Sequence, residues 1–125
     1  MIQNRYFFLS VSLLMTVLLA CKQEAGTGGK ARIRGQVQHH EAAIPFASVY
    51  IHYGSNDIPT AGYQDSTRAD AQGNYTFQNL QKGKYYIYSI GFDANWSPPS
   101  TVFGGMPTQV YQRKEDVILN IPVSE

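Results

Sequence analysis

The 125 residues carry ten Lys and Arg against nine Asp and Glu, a formal net charge of +1. That balance lacks the concentrated basic face a nucleic-acid partner requires. One cysteine excludes an internal disulfide framework, so packing alone must hold whatever fold forms.

The chain opens "MIQNRYFFLSVSLLMTVLLAC". Arg5 closes a short cationic start, Tyr6 to Leu19 is mostly apolar, and small Ala20 precedes Cys21, the layout of a secretory signal. A spanning helix needs about 20 apolar residues; this run is shorter and is broken by Ser10, Ser12 and Thr16. "LLAC" at residues 18–21 resembles the bacterial lipobox, which implies cleavage before Cys21 and acylation of its thiol and new amine. Two or more acyl chains hold stably to a bilayer where one does not, so the expectation for Cys21 is a membrane tether rather than a catalytic thiol. Lys22 in place of Asp after the cysteine resembles lipoproteins sent to the outer membrane, on its periplasmic face or at the cell surface.

Removing residues 1–20 takes Arg5 with it and leaves nine basic against nine acidic residues. Residues 21–30, with "KQEAGTGGK", read as a flexible tether of roughly 15 to 20 Å mean span. Residues 31–125 form one domain, long enough to bury a core of its own.

Within it the period is two. "ARIRGQVQ" puts Ile33, Gly35 and Val37 on one face and Arg32, Arg34, Gln36 and Gln38 on the other. The basic cluster of "KARIR" fits a solvated strand face. "FASVYIHY" aligns Ala47, Val49, Ile51 and Tyr53; "NYTFQN" aligns Tyr75 and Phe77; "EDVILNIPV" aligns Val117, Leu119, Ile121 and Val123. Asp70 caps a turn and Gly73 takes a positive φ in "DAQGNY", and "LQKGKY" repeats the device at Gly83. The expectation is two tandem hairpins, a meander, within an all-β, antiparallel sandwich.

The order "GQV", "IPFASVYI", "TRADAQGNYTFQNLQKGKYYI" resembles the carboxypeptidase regulatory-like domain, a transthyretin-like, Ig-like β-sandwich of seven strands. Gly35 and Val37 match its opening strand, Pro45, Ala47 and Val49 its second, and Asp70, Gly73, Tyr75, Leu80, Gly83 and Tyr85 its central signature, over residues 31–92. The resemblance implies a non-catalytic module of bacterial surface or secreted proteins. Related hydroxyisourate hydrolases end in Tyr-Arg-Gly-Ser, whereas this chain ends "NIPVSE". Related adhesin domains form an isopeptide promoted by an acidic residue that would fall near Ser89, which cannot do that work.

Other chemistry is weaker. "HHE" at 39–41 and His52 carry metal-ligand side chains, but adjacent histidines on a strand diverge, and a solvated loop with no metal is expected. Asp70, Gln72 and Asn74 lack the downstream Glu of a calcium loop. Ser66 and Ser89 have no adjacent His and acid. No cofactor is expected. "NYT" and "NWS" fit a glycosylation pattern uncommon in bacteria, and "DST" is a short O-glycosylation match.

The strand "KYYIYSIGF" sends Tyr85, Ile87 and Ser89 inward and Tyr86, Tyr88 and Ile90 outward, and the same parity turns out Tyr50 and His52. Trp96 sits in the proline-stiffened "NWSPPS". Flat rings on a rigid sheet stack on sugar faces or hold a protein partner, and they also serve as cross-strand pairs. Tyr50, His52, Tyr86, Tyr88 and Trp96 are therefore the candidate binding surface. The leading expectation is a lipid-anchored, non-catalytic module for an envelope protein. The alternatives are a polysaccharide-binding lipoprotein and a hydrolase built on histidines.

Overall fold

The structure, a computed structural model, describes residues 24–125. Nine strand segments form two sheets: β1 (Thr27–His39), β2 (Ala42–Ala43), β3 (Ser48–Tyr53), β4 (Asp65–Arg68), β5 (Asn74–Leu80), β6 (Gly83–Phe92), β7 (Thr101–Val110), β8 (Asp116–Ile118) and β9 (Ile121–Pro122). One sheet is built around β1, with β2, β5, β8 and β9 as its neighbours; the other runs β4-β3-β6-β7. The expected all-β sandwich is present.

Period two decides which side of each strand is buried. Ala31, Ile33 and Val37 of β1 and Tyr75 and Phe77 of β5 face Val49, Ile51, Tyr85 and Ile87 of the second sheet in one core. Each such aliphatic side chain removed from water contributes about 1.5–3 kcal/mol. In β5 the alternation breaks once. Asn79 takes φ 58°, and the register on β1 slips between Ala31, opposite Leu80, and Ile33, opposite Phe77. This bulge turns Leu80 inward beside Phe77.

Three expectations are corrected. Asp70 does cap its turn, its Oδ1 accepting the amides of Gln72 and Asn74 at 2.9 Å each, and Gly73 has φ 76°. The reversal nonetheless joins strands of different sheets. β4 lies in one sheet, β5 in the other and β6 back in the first, so there is no meander. All three strands have a face that must be covered, and facing sheets cover both at once. The turn itself docks on β1 through the Val37 amide, which donates to the Gly73 carbonyl at 2.9 Å.

The tail differs from a purely antiparallel closure. β8 and β9 both run parallel to β1, Arg32–Arg34 pairing with Asp116–Ile118 and Val37–Gln38 with Ile121–Pro122. Beyond them the Val123 amide bonds Gln38 at 2.9 Å, while Ser124 exchanges bonds of 2.9 and 3.0 Å with Phe103 of β7. Successive residues thus reach opposite sheets and close one side of the sandwich.

The glycine-rich segment is the third correction: β1 begins at Thr27, inside the expected tether. A Cβ at Gly29 would collide with the Leu80 carbonyl. Part of this glycine content therefore serves close backbone approach rather than chain flexibility.

Candidate functional site

In the four-stranded sheet Tyr50 lies opposite Tyr88 and His52 opposite Tyr86. Their chain neighbours Val49, Ile51, Ile87 and Ser89 are fully buried, so the four residues project to the outer face, as the parity of the sequence predicts. Tyr63, from the segment between β3 and β4, completes an aromatic cluster. Its ring stacks on Tyr88 at 5.9 Å and 19° and lies 5.6 Å from Tyr50, which is 6.2 Å from Tyr88.

That segment is held at both ends. Asn56, its carboxamide oriented by the carbonyls around it, donates to Thr108 at 2.9 Å and Tyr85 at 3.3 Å. The Gln64 Oε1 accepts the Tyr53 amide and faces His52 Nδ1, both at 2.9 Å, which places the His52 proton on Nδ1. Between Tyr63 and β7 lies an open groove of about 400 Å³ lined by Ile58, Tyr63, Tyr86, Tyr88, Phe103, Gly104 and Gly105. Gly105 lets the Tyr86 ring lie against β7: an added Cβ would meet its hydroxyl at 2.5 Å, and the ring would have to shift. Burial, with smaller contributions from neighbouring phenols, raises the Tyr63 and Tyr88 pKa values. Both rings are therefore uncharged at neutral pH.

A second cluster forms where β1 ends, and it overturns the expectation of a solvated histidine loop. His39 is 2% exposed. Its Nδ1 is 2.8 Å from Asp93 Oδ2 and its Nε2 is 2.7 Å from Glu125 Oε2. The Asp93 carboxylate raises the His39 pKa, burial opposes it, and Glu125 adds to the rise. Asp93 is lowered in turn by His39 and by the Asn95 amide, which donates to it at 3.0 Å.

Adjacent histidines diverge on a strand, but His40 is no longer on one. With φ 50° at His40 and 68° at Glu41, the two residues form a tight β1–β2 turn that brings the His39 and His40 rings to 4.2 Å. The ground for expecting no metal ligation is thereby removed. Trp96 belongs to this cluster and does not line the tyrosine groove: its indole is stacked on His40 and edge-on to His39, both at 4.8 Å.

The structure thus brings Tyr50, Tyr86 and Tyr88 together, leaves His52 at their edge beside Gln64, and places Trp96 elsewhere. Cys21 lies outside the described residues. Ile58, Tyr63, Phe103, Asp93 and Glu125 were not singled out from sequence. Among the described residues no helix is long and apolar enough to cross a membrane.

By sequence the chain matches no family profile and no curated protein. By fold it is similar to a DUF3823 family protein from Parabacteroides merdae, with a TM-score of 0.50 and 10% identity over 82% of this chain. It spans about half of that protein, 47% of its length. It is also similar to a candidate carbohydrate-binding protein from Pseudomonas aeruginosa, with a TM-score of 0.53 and 14% identity over 83% of this chain and 93% of that one. These likenesses establish a shared β-sandwich architecture.

Proposed function

We propose that this chain is a non-catalytic, polysaccharide-binding module whose binding surface is the tyrosine groove. The observation that carries the reading is the Tyr63–Tyr88 stack beside Tyr50, Tyr86 and Phe103, four half-buried tyrosines and one exposed phenylalanine grouped on one face of a sheet. Sugar rings present apolar C–H faces that pack on such rings, and the phenol hydroxyls at the rim exchange hydrogen bonds with sugar hydroxyls. No lining residue of the groove is ionic, which favours a neutral glycan over a charged one. An open groove suits a chain that continues past the site on both sides. The likeness to a candidate carbohydrate-binding protein supports the same reading at the level of fold.

The proposed setting rests on "LLAC" and on the strand and turn motifs of residues 31–92: a bacterial lipoprotein held through lipidated Cys21 at the cell envelope, on the periplasmic face or at the cell surface, with a domain that resembles the carboxypeptidase regulatory-like family. Metabolic labelling with an alkynyl fatty acid checks the anchor. Label is expected on the wild type and absent from Cys21→Ser.

Binding is tested by calorimetry and affinity electrophoresis against neutral and acidic envelope polysaccharides. Wild type is expected to bind a neutral glycan with an affinity that changes little between 50 and 500 mM salt, because little charge is neutralised. Tyr88→Ala and Tyr63→Ala are expected to weaken binding tenfold or more while keeping the circular dichroism spectrum. Retention only of an envelope protein in cross-linked cells, with no glycan bound, would overturn the reading.

A further inference from the structure

At the end of β1 the Nε2 of His39 and the carboxylate of Glu125 face each other at 2.7 Å. When the Nδ1–H donates to Asp93, a neutral imidazole has only a lone pair left at Nε2. Two lone pairs at this separation require a cation between them. A proton meets that need for His39 and Glu125 alone. The ligand atoms of His39, His40 and Glu125 all lie within 4.8 Å of one another, which puts a third donor within a short side-chain movement of the pair.

We propose that His39, His40 and Glu125 bind a borderline divalent transition ion of the zinc class, with Asp93 as the positioning residue behind His39. Two imidazoles and a carboxylate are donors suited to zinc, whereas calcium and magnesium demand shells of oxygen. Bonds of about 2.0–2.2 Å in tetrahedral geometry separate neighbouring ligand atoms by roughly 3.3 Å. The 2.7 Å contact therefore opens by well under 1 Å, a shift available to exposed Glu125. The Asp93 contact to Nδ1 at 2.8 Å is the outer-shell carboxylate that metal-bound histidines ordinarily carry, fixing the tautomer that presents Nε2. His40 is held by the stacked indole of Trp96 and by a backbone conformation that non-glycine residues adopt at a cost. Three protein ligands leave a fourth position for water. The ion would clasp the end of β1, the turn after it and the C-terminal segment.

The test uses the full chain in detergent, purified with a histidine-free tag and stripped by chelator, then titrated with Zn²⁺ by calorimetry and by competition with a chromophoric chelator. One ion per chain at micromolar affinity or tighter is expected, together with a raised melting temperature. Because His39→Ala empties a buried position and endangers the fold, the variants are His40→Ala and Glu125→Gln, both at exposed residues. Each is expected to weaken Zn²⁺ binding at least tenfold and to lose most of the rise in melting temperature that Zn²⁺ gives the wild type, each variant being compared with itself in chelator. Asp93→Asn is expected to weaken it by 10- to 100-fold, and ¹⁵N shifts of His39 should show a proton kept on Nδ1 and metal on Nε2. Affinity no better than millimolar, or equal affinity in wild type, His40→Ala and Glu125→Gln, would overturn the proposal.

Discussion

The Tyr85 hydroxyl accepts the Gly26 amide proton at 2.9 Å and donates to the Gln81 carbonyl, so a fully buried ring on β6 holds the chain 59 residues upstream. Tyr85→Phe keeps the ring and leaves both backbone groups unpaired in a buried site. A loss of about 1–3 kcal/mol is expected in urea unfolding, with amide exchange at residues 26–29 rising before the rest. A change below about 0.5 kcal/mol would show that water replaces the hydroxyl.

Gly35 sits where β1 passes the turn between β8 and β9. A Cβ there would collide with the Leu119 carbonyl, which already accepts the Tyr75 hydroxyl at 2.6 Å. Gly35→Ala must move that backbone, and about 1–3 kcal/mol or more is expected. Gly54 supplies the contrast: φ is 91° but nothing lies within 4 Å of an added Cβ, so Gly54→Ala should cost only about 1 kcal/mol of backbone strain. Equilibrium unfolding of the pair separates collision from conformation.

Asp116 receives two guanidinium groups, Arg32 at 2.9 and 3.0 Å and Arg34 at 3.0 Å through each of Nε and Nη2. Hydrogen bonds from Arg34 and then Arg32 hold its carboxyl far below the usual carboxylate range. A depressed folded-state pKa gives stability that is complete above the unfolded value of about 3.9 and is lost as pH falls below it. The stability gap between wild type and Asp116→Asn should therefore be flat from pH 7 to about pH 5 and shrink below about pH 4. Added salt should narrow it, since the pair is exposed. A gap that widens in acid would contradict the assignment.

The β1–β2 turn places His40 and Glu41 at two successive positive φ values, positions that favour Asn and Gly. Replacing them together, His40→Asn with Glu41→Gly, should stabilise the chelator-treated protein by about 0.5–2 kcal/mol. Loss of stability instead would mean that the His40–Trp96 stack outweighs the strain of the turn.

What could be read from sequence was local. Alternation along "KYYIYS" placed Tyr85, Ile87 and Ser89 inside and Tyr86 and Tyr88 outside, and Asp70 with Gly73 marked a real turn. β7 stayed hidden because Gly104, Gly105 and Pro107 erase the pattern of a strand, although Gly104 and Gly105 are there to let the Pro122 carbonyl and the Tyr86 ring approach. The meander failed because turn chemistry specifies a reversal and is silent about which sheet receives the next strand. Tyr63 reaches the tyrosine groove from a loop of no period. His39 acquires its partners from 54 and 86 residues away, separations that no local spacing encodes.

The parallel pairing of β8 and β9 with β1 sets how the domain answers a pull. Tension applied between its two ends runs along these strands, so the bonds linking them load together in shear rather than opening one after another. In single-molecule stretching, rupture from the two ends should need distinctly more force than a pull directed across β3 and β4, whose antiparallel pairs unzip from Ile51 and Asp65. Equal forces in the two geometries would show that the load is borne elsewhere.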